Sequence, residues 1–314
     1  MALPSLVVWG LCLLQAPALP SQEVQEPPNL PMKTLGGKQF WQDVFVFQGW
    51  RIQKHHYLGH CRLLDPKDVR RAWGRMAACE AAFARIREEK KLRRRSDHLV
   101  VLLHGLGRSK DSMKAMREML VREGYEVAAI NYPSTRRSIG EHAAQIEEVL
   151  WRSPDIHQVS FVTHSLGGIV VRTLLARNGP WKQRMQARRV VMLAPPNRGS
   201  FAAERLKDFI PFRLVMGESG ARLDPSSLVD LPEPNIAFGI IAGGTGDPKG
   251  YNPLLPGDDD GVVCVANTRL AGAADFLLVH ASHTFIMNRP EVLRATANFL
   301  QHGNFSAPPP PASR

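Results

Sequence analysis

The chain has 314 residues, of which 44% are hydrophobic, and it carries a formal net charge of +11 at pH 7 with a pI near 9.9. This hydrophobic content is ample for a sizeable core, so the composition argues against an intrinsically disordered chain. The positive charge would suit an anionic membrane surface or nucleic acid, but net charge concerns association and solubility rather than fold.

Residues 1–20 resemble an export signal. An apolar run from Leu6 to Leu14 precedes Ala16-Pro17-Ala18, a small-x-small triplet typical of signal-peptidase sites, although the first basic residue is Lys33. The run is too short to cross a membrane, which takes about 20 apolar residues. We therefore expect an exported protein (periplasmic, secreted or membrane-associated), with a cytoplasmic location as the alternative.

A proline-rich linker is predicted at residues 21–37, because Glu26-Pro27-Pro28-Asn29-Leu30-Pro31 favours extended backbone. The folded part is expected to start near Lys38. Aromatic and β-branched residues from Phe45 to Cys61 predict an antiparallel pair of strands at a sheet edge.

A basic helix is predicted to complete an N-terminal region at residues 38–97. Asp65-Pro66 is typical of a helix start, with Asp as the cap and Pro in the first turn, and the helix should run toward Arg95. Its last part, Arg85 to Arg95, reads R-I-R-E-E-K-K-L-R-R-R. Such a run is usually a solvated helix face, and without an aromatic platform or a known reading module we expect no nucleic-acid partner.

Histidines and cysteines in the N-terminal region raise the question of a metal site. Four residues of zinc-binding types lie close together in sequence: His55, His56, His60 and Cys61. On an alternating strand the first two histidines face opposite sides, so we expect no metal there. After signal removal three cysteines would remain: Cys61, Cys79 and Cys264. Their irregular spacing predicts no disulfide framework, although one pair could form a disulfide after export.

From His98 onward, short apolar runs alternate with helical segments, the pattern of a parallel sheet covered on both faces. The predicted strands are Leu99–Leu103, Val127–Asn131, Val159–Thr163, Arg189–Leu193, Ile236–Ala242 and Phe276–Val279. The predicted helices are Asp111–Glu123, Ile139–Arg152, Leu166–Arg177 and Glu291–Gln301. These elements predict an α/β fold with a mostly parallel central sheet, in a domain spanning residues 98–302.

One interval is too long for a simple connection. The segment from Ser200 to Pro234 contains an amphipathic stretch, Ala203 to Val215, and would lie over the carboxyl ends of the strands, where such sheets bind ligands. A helical lid is one interpretation, and a surface excursion without a gating role is the other. The tail at residues 303–314, with four consecutive prolines, is predicted to be disordered.

A candidate nucleophile lies between a predicted strand and a predicted helix. Residues Val159 to Val171 combine an apolar strand, Ser165, a glycine pair and an apolar helix, the pattern of a nucleophile elbow. In this turn the serine hydroxyl stands clear of the strand, and the helix directs its positive end at it. Gly167 supplies the small residue that the turn needs, whereas Thr163 stands where the usual pattern has glycine. A helix-capping serine on an ordinary loop is the alternative.

Another strand runs directly into His104-Gly105-Leu106-Gly107. Acyl transfer develops negative charge on a carbonyl oxygen, so two backbone N–H groups must already point toward it. We expect the amides of Leu106 and Leu166 to form this oxyanion hole, with the glycines letting the loop approach the substrate. The loop lacks the Lys and hydroxyl of a phosphate-binding P-loop in register.

The base of such a site should follow the last strand, because this fold orders its residues Ser, acid, His along the chain. His283 lies in the loop after the last predicted strand, whereas His280 is still on the strand. We therefore predict His283 as the base and His280 as a packed or hydrogen-bonded residue at the strand end.

The acid should follow the preceding strand. Asp260 is predicted, because Val262-Val263 just downstream tie it to the core, while Asp258 and Asp259 are expected to face water. Asp247, nearer the strand end, is the alternative acid.

With these motifs, residues 98–302 resemble the α/β-hydrolase superfamily, and in particular its lipase and esterase branch. Five motifs in chain order carry the resemblance: His104-Gly105-Leu106-Gly107, Thr163-His164-Ser165-Leu166-Gly167-Gly168, Ala194-Pro195-Pro196-Asn197-Arg198-Gly199-Ser200, Asp260-Gly261-Val262-Val263 and Ser282-His283-Thr284. The resemblance implies hydrolysis of a carboxylic ester through an acyl-enzyme, with a small-molecule or lipid ester as substrate and neither metal nor organic cofactor.

Two other functions stay open. The same residues would serve an acyltransferase that passes the acyl group to an alcohol, and a noncatalytic α/β-hydrolase-like binding protein could retain the fold. The sequence indicates no oligomeric state, and the positive charge leaves association with a membrane surface open. The residues before 98 lie outside the resemblance.

Overall fold

The computed structural model describes residues 31–34, 36–37, 39–199, 228 and 230–306. Three features predicted from the sequence lie outside these ranges: the export signal, the amphipathic stretch Ala203 to Val215 and the tail from residue 307 onward. No helix within the described ranges combines the length and apolar character that crossing a bilayer requires.

The N-terminal region forms a five-stranded antiparallel sheet of its own. Its strands are β1 (Met32–Lys33), β2 (Trp41–Phe47), β3 (Trp50–His55), β4 (Cys61–Leu64) and β5 (Val69–Gly74), in the order β1-β5-β4-β3-β2. The predicted antiparallel pair is β2 and β3, at one edge of this sheet. β1 lies within the predicted linker, so the folded part starts before Lys38. Helix α1 (Met76–Glu89) packs on the sheet through Cys79, Ala82 and Phe83.

The predicted start of the basic helix is wrong. Asp65 Oδ1 accepts hydrogen bonds from the amides of Lys67 and Val69, both at 2.9 Å, and this tight turn leads into β5 instead of a helix. An aspartate carboxylate can bond nearby amides in a turn as readily as at a helix cap, so Asp-Pro alone does not distinguish the two. The helix begins at Met76, eleven residues after Asp65, and ends at Glu89.

The basic run is more than a solvated helix face. Arg87 and Arg94 form ion pairs with Asp155 at 3.1 and 3.2 Å, and Arg94 also pairs with the buried Glu126 at 3.4 Å. Both guanidinium groups lie over the ring of Phe47. These contacts attach the end of the N-terminal region to the second sheet.

The histidines and cysteines of the N-terminal region have structural partners. His56 accepts a hydrogen bond from Arg137 at 2.7 Å, while the rings of His55 and His60 stack on each other. Cys61, Cys79 and Cys264 are buried, and no two of these cysteines form a disulfide with each other. Within the described part of the chain, no group of three or more His, Cys, Asp or Glu residues is arranged to hold a metal ion.

The second sheet has six parallel strands. They are β6 (His98–Leu103), β7 (Glu126–Ile130), β8 (Gln158–His164), β9 (Gln186–Leu193), β10 (Ala237–Gly244) and β11 (Asp275–His280), in the order β11-β10-β9-β8-β6-β7. Each predicted strand is present, with ends within three residues of the prediction. The predicted α/β class with a parallel central sheet is confirmed.

Helices cover both faces of this sheet. They are α2 (Lys114–Arg122), α3 (Ile139–Trp151), α4 (Leu166–Ala176), the short α5 (Val265–Thr268) and α6 (Pro290–His302). On β6, Leu99, Val101 and Leu103 pack in the same cluster as α3 and α4, whereas Val100 and Leu102 pack in the cluster of α2 and α6. Burial of both faces explains why these strands are continuous apolar runs.

The packed part of the chain continues past residue 302, where the sequence predicted its end. Phe305 is buried against Phe299 of α6, and its amide donates to Asp275 Oδ2 at 2.7 Å. Gly303 ends α6 in a left-handed conformation, the usual role of a glycine at this position, and turns the chain so that Phe305 can reach the core.

Candidate catalytic site

Ser165 occupies a strained turn between β8 and α4. Its backbone has φ +52° and ψ −120°, which an L residue rarely adopts, and its amide donates to the Leu193 carbonyl at 2.9 Å. The turn brings α4 close to β6, since a Cβ built on Gly167 would lie 2.8 Å from the Leu103 carbonyl oxygen. A side chain at position 167 would clash with β6, which explains why the sequence has the predicted small residue there. The backbone has the geometry of a nucleophile elbow.

Thr163 fits at the position where the usual pattern has glycine. Its side chain is buried at the end of β8, where its hydroxyl donates to the Val191 carbonyl at 3.4 Å. A Cβ built on Gly168 would lie at an ordinary contact distance of 3.6 Å from Thr163 Oγ1, but only 3.0 Å from Pro195 Cβ. The second glycine of the pair therefore lets α4 approach the turn after β9, and Thr163 fits beside it without a tight contact.

Two loops bring a histidine and a carboxylate to the serine. His283 Nε2 lies 3.0 Å from Ser165 Oγ, and His283 Nδ1 lies 2.7 Å from Asp260 Oδ2. Asp260 Oδ1 accepts the amides of Val262 and Val263 at 3.0 and 2.8 Å, which fixes the carboxylate. Both carboxylate oxygens of Asp260 act as acceptors, so His283 must carry its proton on Nδ1 to donate to Asp260. Its Nε2 is then free to accept a hydrogen bond from the serine hydroxyl.

The alternatives weighed from the sequence lie elsewhere. His280 ends β11 with its side chain exposed against the ring of Tyr251. Asp247 is exposed and accepts the amide of Lys249. The expectation that Asp258 and Asp259 face water is wrong: Asp259 is fully buried, and Asp258 is partly buried.

Asp258 and Asp259 close the loop that carries Asp260. Asp259 Oδ1 accepts the amides of Asn252 and Gly261 at 3.1 and 2.6 Å, and Asp258 accepts those of Thr245 and Gly246 at 2.8 and 3.0 Å. The loop is rich in glycine and has few apolar side chains to pack, so hydrogen bonds from backbone amides to these carboxylates stabilise it.

The loop after β6 holds the Leu106 amide in a fixed direction. The carbonyl of Gly105 accepts from His104 Nδ1 at 2.8 Å and from the Arg108 amide at 3.2 Å. This carbonyl and the Leu106 N–H belong to one peptide plane and point in opposite directions, so fixing one fixes the other. The Leu166 amide lies in the first turn of α4, where N–H groups have no partner within the helix. Both predicted oxyanion donors are therefore on rigid backbone.

Gly105 and Gly107 serve the same loop for different reasons. A Cβ on Gly105 would lie 2.8 Å from His164 Nδ1 and 3.2 Å from Ser165 Cβ, so the loop packs directly on the elbow. Gly107 has open space around it but a φ of +69°, which favours glycine.

Two buried histidines beside the site are held neutral. Burial lowers the pKa of His104 to about 4, and its proton sits on Nδ1, where the Gly105 carbonyl accepts it. Burial, followed by the nearby His283, lowers the pKa of His164 well below its ordinary range, and His164 Nε2 donates to the His283 carbonyl at 3.0 Å. A neutral His164 adds no positive charge beside His283, which would become cationic in acyl transfer.

The sequence reasoning missed an arginine that shapes the turn after β9. Arg172 is buried within the apolar α4, and its Nη1 donates to the Asn197 carbonyl and to Asn197 Oδ1, both at 3.3 Å. Asn197 in turn donates to the Thr268 carbonyl at 2.8 Å. An arginine between Val171 and Thr173 on an otherwise apolar helix was the available signal, since a buried charge needs partners.

Comparison with known proteins identifies the fold. Residues 93–202 match the model of the family described as "Putative serine esterase (DUF676)". The mature form of the lipase BlEst2 from Bacillus licheniformis superposes with a TM-score of 0.52 at 17% identity, over 65% of this chain and 91% of that one. This chain has the α/β-hydrolase fold. Its predicted resemblance to the lipase and esterase branch of that superfamily is confirmed.

Other structures with this α/β-hydrolase fold give similar values. The metagenomic carboxyl esterase MGS0156 has a TM-score of 0.50 at 19% identity, over 65% of this chain and 75% of that one. The propeptide form of BlEst2 has a TM-score of 0.53 at 19% identity over 68% of this chain, which spans only 52% of that longer protein. No curated protein matches the sequence significantly. At a coarse level, the family and the lipase and esterase neighbours support an ester hydrolase.

Proposed function

We propose that this α/β-hydrolase cleaves carboxylic esters through an acyl-enzyme on Ser165. The observation that carries the proposal is the unbroken hydrogen-bond sequence from Ser165 Oγ to His283 to Asp260, at 3.0 and 2.7 Å. Three different loops contribute these groups, and the packing of the core does not by itself require a serine, a histidine and an aspartate to meet.

In acylation, His283 Nε2 takes the proton of the Ser165 hydroxyl as the oxygen attacks the ester carbonyl. The amides of Leu106 and Leu166 stabilise the developing oxyanion, and losing one such donor typically costs about 3 kcal/mol of barrier. His283 then gives its proton to the departing alcohol. Asp260 keeps the imidazole oriented and stabilises its charged form throughout.

In deacylation, water attacks the acyl-enzyme with His283 again as the base, and the carboxylic acid leaves. If an alcohol took the place of water, the same residues would perform acyl transfer. Hydrolysis and acyl transfer differ in the acceptor of the acyl group. Comparing the products formed with and without an added alcohol shows which acceptor the enzyme uses. The proposed substrate class is a small-molecule or lipid ester.

The proposal extends to location. An export signal at residues 1–20 would deliver the mature chain outside the cytoplasm, and its net positive charge suits an anionic membrane surface that presents lipid esters. Fractionation of cells that produce the full chain, with N-terminal sequencing of the product, tests this: a cytoplasmic product that retains Met1 contradicts it.

Turnover of p-nitrophenyl esters of increasing acyl length tests the reaction. Ser165→Ala should reduce turnover to background. Ser112→Ala alters a serine hydroxyl on the short 3-10 helix Lys110–Met113, which precedes α2, and should retain activity. A parent chain that turns over none of these esters would instead favour the noncatalytic binding protein. Ser165→Ala activity equal to the parent would remove Ser165 from the mechanism.

A further inference from the structure

A glutamine from the N-terminal region bridges the oxyanion loop and the loop after β7. Gln39 Nε2 donates to the Arg108 carbonyl and to Ser134 Oγ, both at 3.3 Å. Gln39 Oε1 accepts the amide and the hydroxyl of Thr135, both at 3.0 Å. One side chain therefore uses both ends of its amide, and each end contacts a loop of the second sheet.

Ser134 extends this bridge to the oxyanion loop. Its hydroxyl is fully buried and accepts the Gly107 amide at 3.0 Å. Gly107 N–H is thus used to hold the loop, which leaves the Leu106 amide as the loop's candidate oxyanion donor. With the bond to the Arg108 carbonyl, the two residues that follow Leu106 are both held by hydrogen bonds from outside the loop.

Gln39 is itself fixed by contacts of the N-terminal sheet. It stands two residues before β2, in a turn where the Phe40 amide donates to the Gly37 carbonyl at 3.0 Å. β2 is joined to the second sheet by the buried Asp43, whose Oδ2 accepts the Asn131 amide at 2.7 Å and whose own amide donates to the Asn131 carbonyl at 3.0 Å. The bridge therefore starts from a firmly attached strand.

We propose that Gln39 is a positioning residue for the oxyanion hole, and that the N-terminal sheet thereby forms part of the catalytic apparatus. This inference rests on the proposed function. It gives a role to residues before 93, which the esterase family model does not match. Without Gln39, the turn from Gly105 to Arg108 would keep its internal bonds and the bond from the Gly107 amide to Ser134 Oγ. It would lose the donor to the Arg108 carbonyl and the contact that fixes Ser134, so the Leu106 amide would sample directions away from the oxyanion.

The test compares Gln39→Glu and Gln39→Ala with a matched control, Gln42→Ala. The Glu variant keeps the acceptor for Thr135 but removes the donor to the Arg108 carbonyl, and the Ala variant removes both. Gln42 lies on β2, three residues after Gln39, and accepts a hydrogen bond at 3.2 Å from Arg137, which is outside the oxyanion loop. In full-length protein, both Gln39 variants should lower kcat by about tenfold to a hundredfold with KM little changed. The control should stay within about twofold of the parent.

Two further measurements separate positioning from folding. Affinity for a trifluoromethyl ketone, which forms a tetrahedral oxyanion with the serine, should fall by the same factor as kcat/KM, since both depend on the oxyanion hole. Hydrogen exchange of the peptide covering residues 105–109 should become faster in the Gln39 variants, while exchange of β8 and α4 stays as in the parent.

The outcomes distinguish this inference from the proposed function. Unchanged exchange at residues 105–109 in both Gln39 variants overturns the inference whether or not the parent hydrolyses esters. Faster exchange with unchanged kcat in an active parent overturns it as well, because the bridge would then be structural only. A parent without ester turnover contradicts the proposed function and, with it, the catalytic role given to Gln39.

Discussion

Asp260 and His283 are joined twice, once through their side chains at 2.7 Å and once through their backbones, where the His283 amide donates to the Asp260 carbonyl at 2.8 Å. The second bond sets the distance between the two loops independently of the first. A substitution that changes the carboxylate chemistry of Asp260 should therefore leave the loops in place, so its effect on activity can be read as an effect on the imidazole.

Asp260→Asn should lower kcat by about 10³- to 10⁴-fold, because an amide can donate to Nδ1 and so favour the wrong tautomer of His283. Steady-state turnover of a p-nitrophenyl ester measures this. Asp247→Asn, an exposed position away from His283, is the matched control and should behave as the parent. A larger loss at residue 247 than at residue 260 would reverse the assignment of the acid.

Asp259→Ala should destabilise the protein by about 1–3 kcal/mol, because the amides of Asn252 and Gly261 would lose a buried acceptor. The free energy of unfolding, from urea titration, is the quantity to compare. Asp247→Ala provides the reference for an exposed aspartate in the same segment and should change that free energy by less than about 0.5 kcal/mol. Equal stability of the two variants would mean that Asp259 does not hold the loop.

Stability should fall on acidification between pH 6.5 and 4, in part because of His104. Its pKa in the folded protein is lowered to about 4, so in this range the unfolded chain binds the proton that the fold excludes. The stability that depends on neutral His104 is fully present above about pH 6.5, the ordinary pKa of histidine in an unfolded chain. It is lost as the pH falls toward 4.

His104→Asn should reduce the slope of the unfolding free energy against pH by up to about 1.4 kcal/mol per pH unit, which corresponds to one bound proton. The asparagine amide can replace Nδ1 as the donor to the Gly105 carbonyl without titrating. Urea titrations at pH 7, 6 and 5 provide the comparison. A variant with the same slope as the parent would show that His104 does not contribute.

Gly167→Ala should reduce both stability and activity. The added Cβ would press on the Leu103 carbonyl at 2.8 Å and push the start of α4 away from β6, at a cost of about 1–3 kcal/mol. Gly140→Ala is the control: it lies in α3 with no atom within 4 Å of the added carbon, and should raise stability by about 0.5–1 kcal/mol. Melting temperatures of the two variants should therefore move in opposite directions.

The sequence predicted the parallel sheet well because burial on both faces leaves continuous apolar runs. It predicted the elbow and the oxyanion loop because Gly167 and Gly105 mark close approaches of the backbone. It predicted the N-terminal region less well. Asp65-Pro66 has the chemistry of both a helix cap and a tight turn, and only the pairing of β4 with β5 decides between them.

Residues that act by bonding backbone groups escaped prediction for a related reason. Gln39, Asp259 and Arg172 each bond backbone groups that the fold brings near, and nothing in the local sequence marks a glutamine or an aspartate as buried or bridging. The positions of His283 and Asp260 beside Ser165 could be predicted because their order along the chain is tied to the order of the strands.

The most direct test of the account is where an active-site phosphonate attaches. We predict that a fluorophosphonate modifies the full-length chain once, that peptide mapping finds the adduct on Ser165, and that His283→Ala slows the modification by several orders of magnitude. Attachment at another serine, or labelling of the His283→Ala variant at the parental rate, would contradict a nucleophile at residue 165 activated by the imidazole at residue 283.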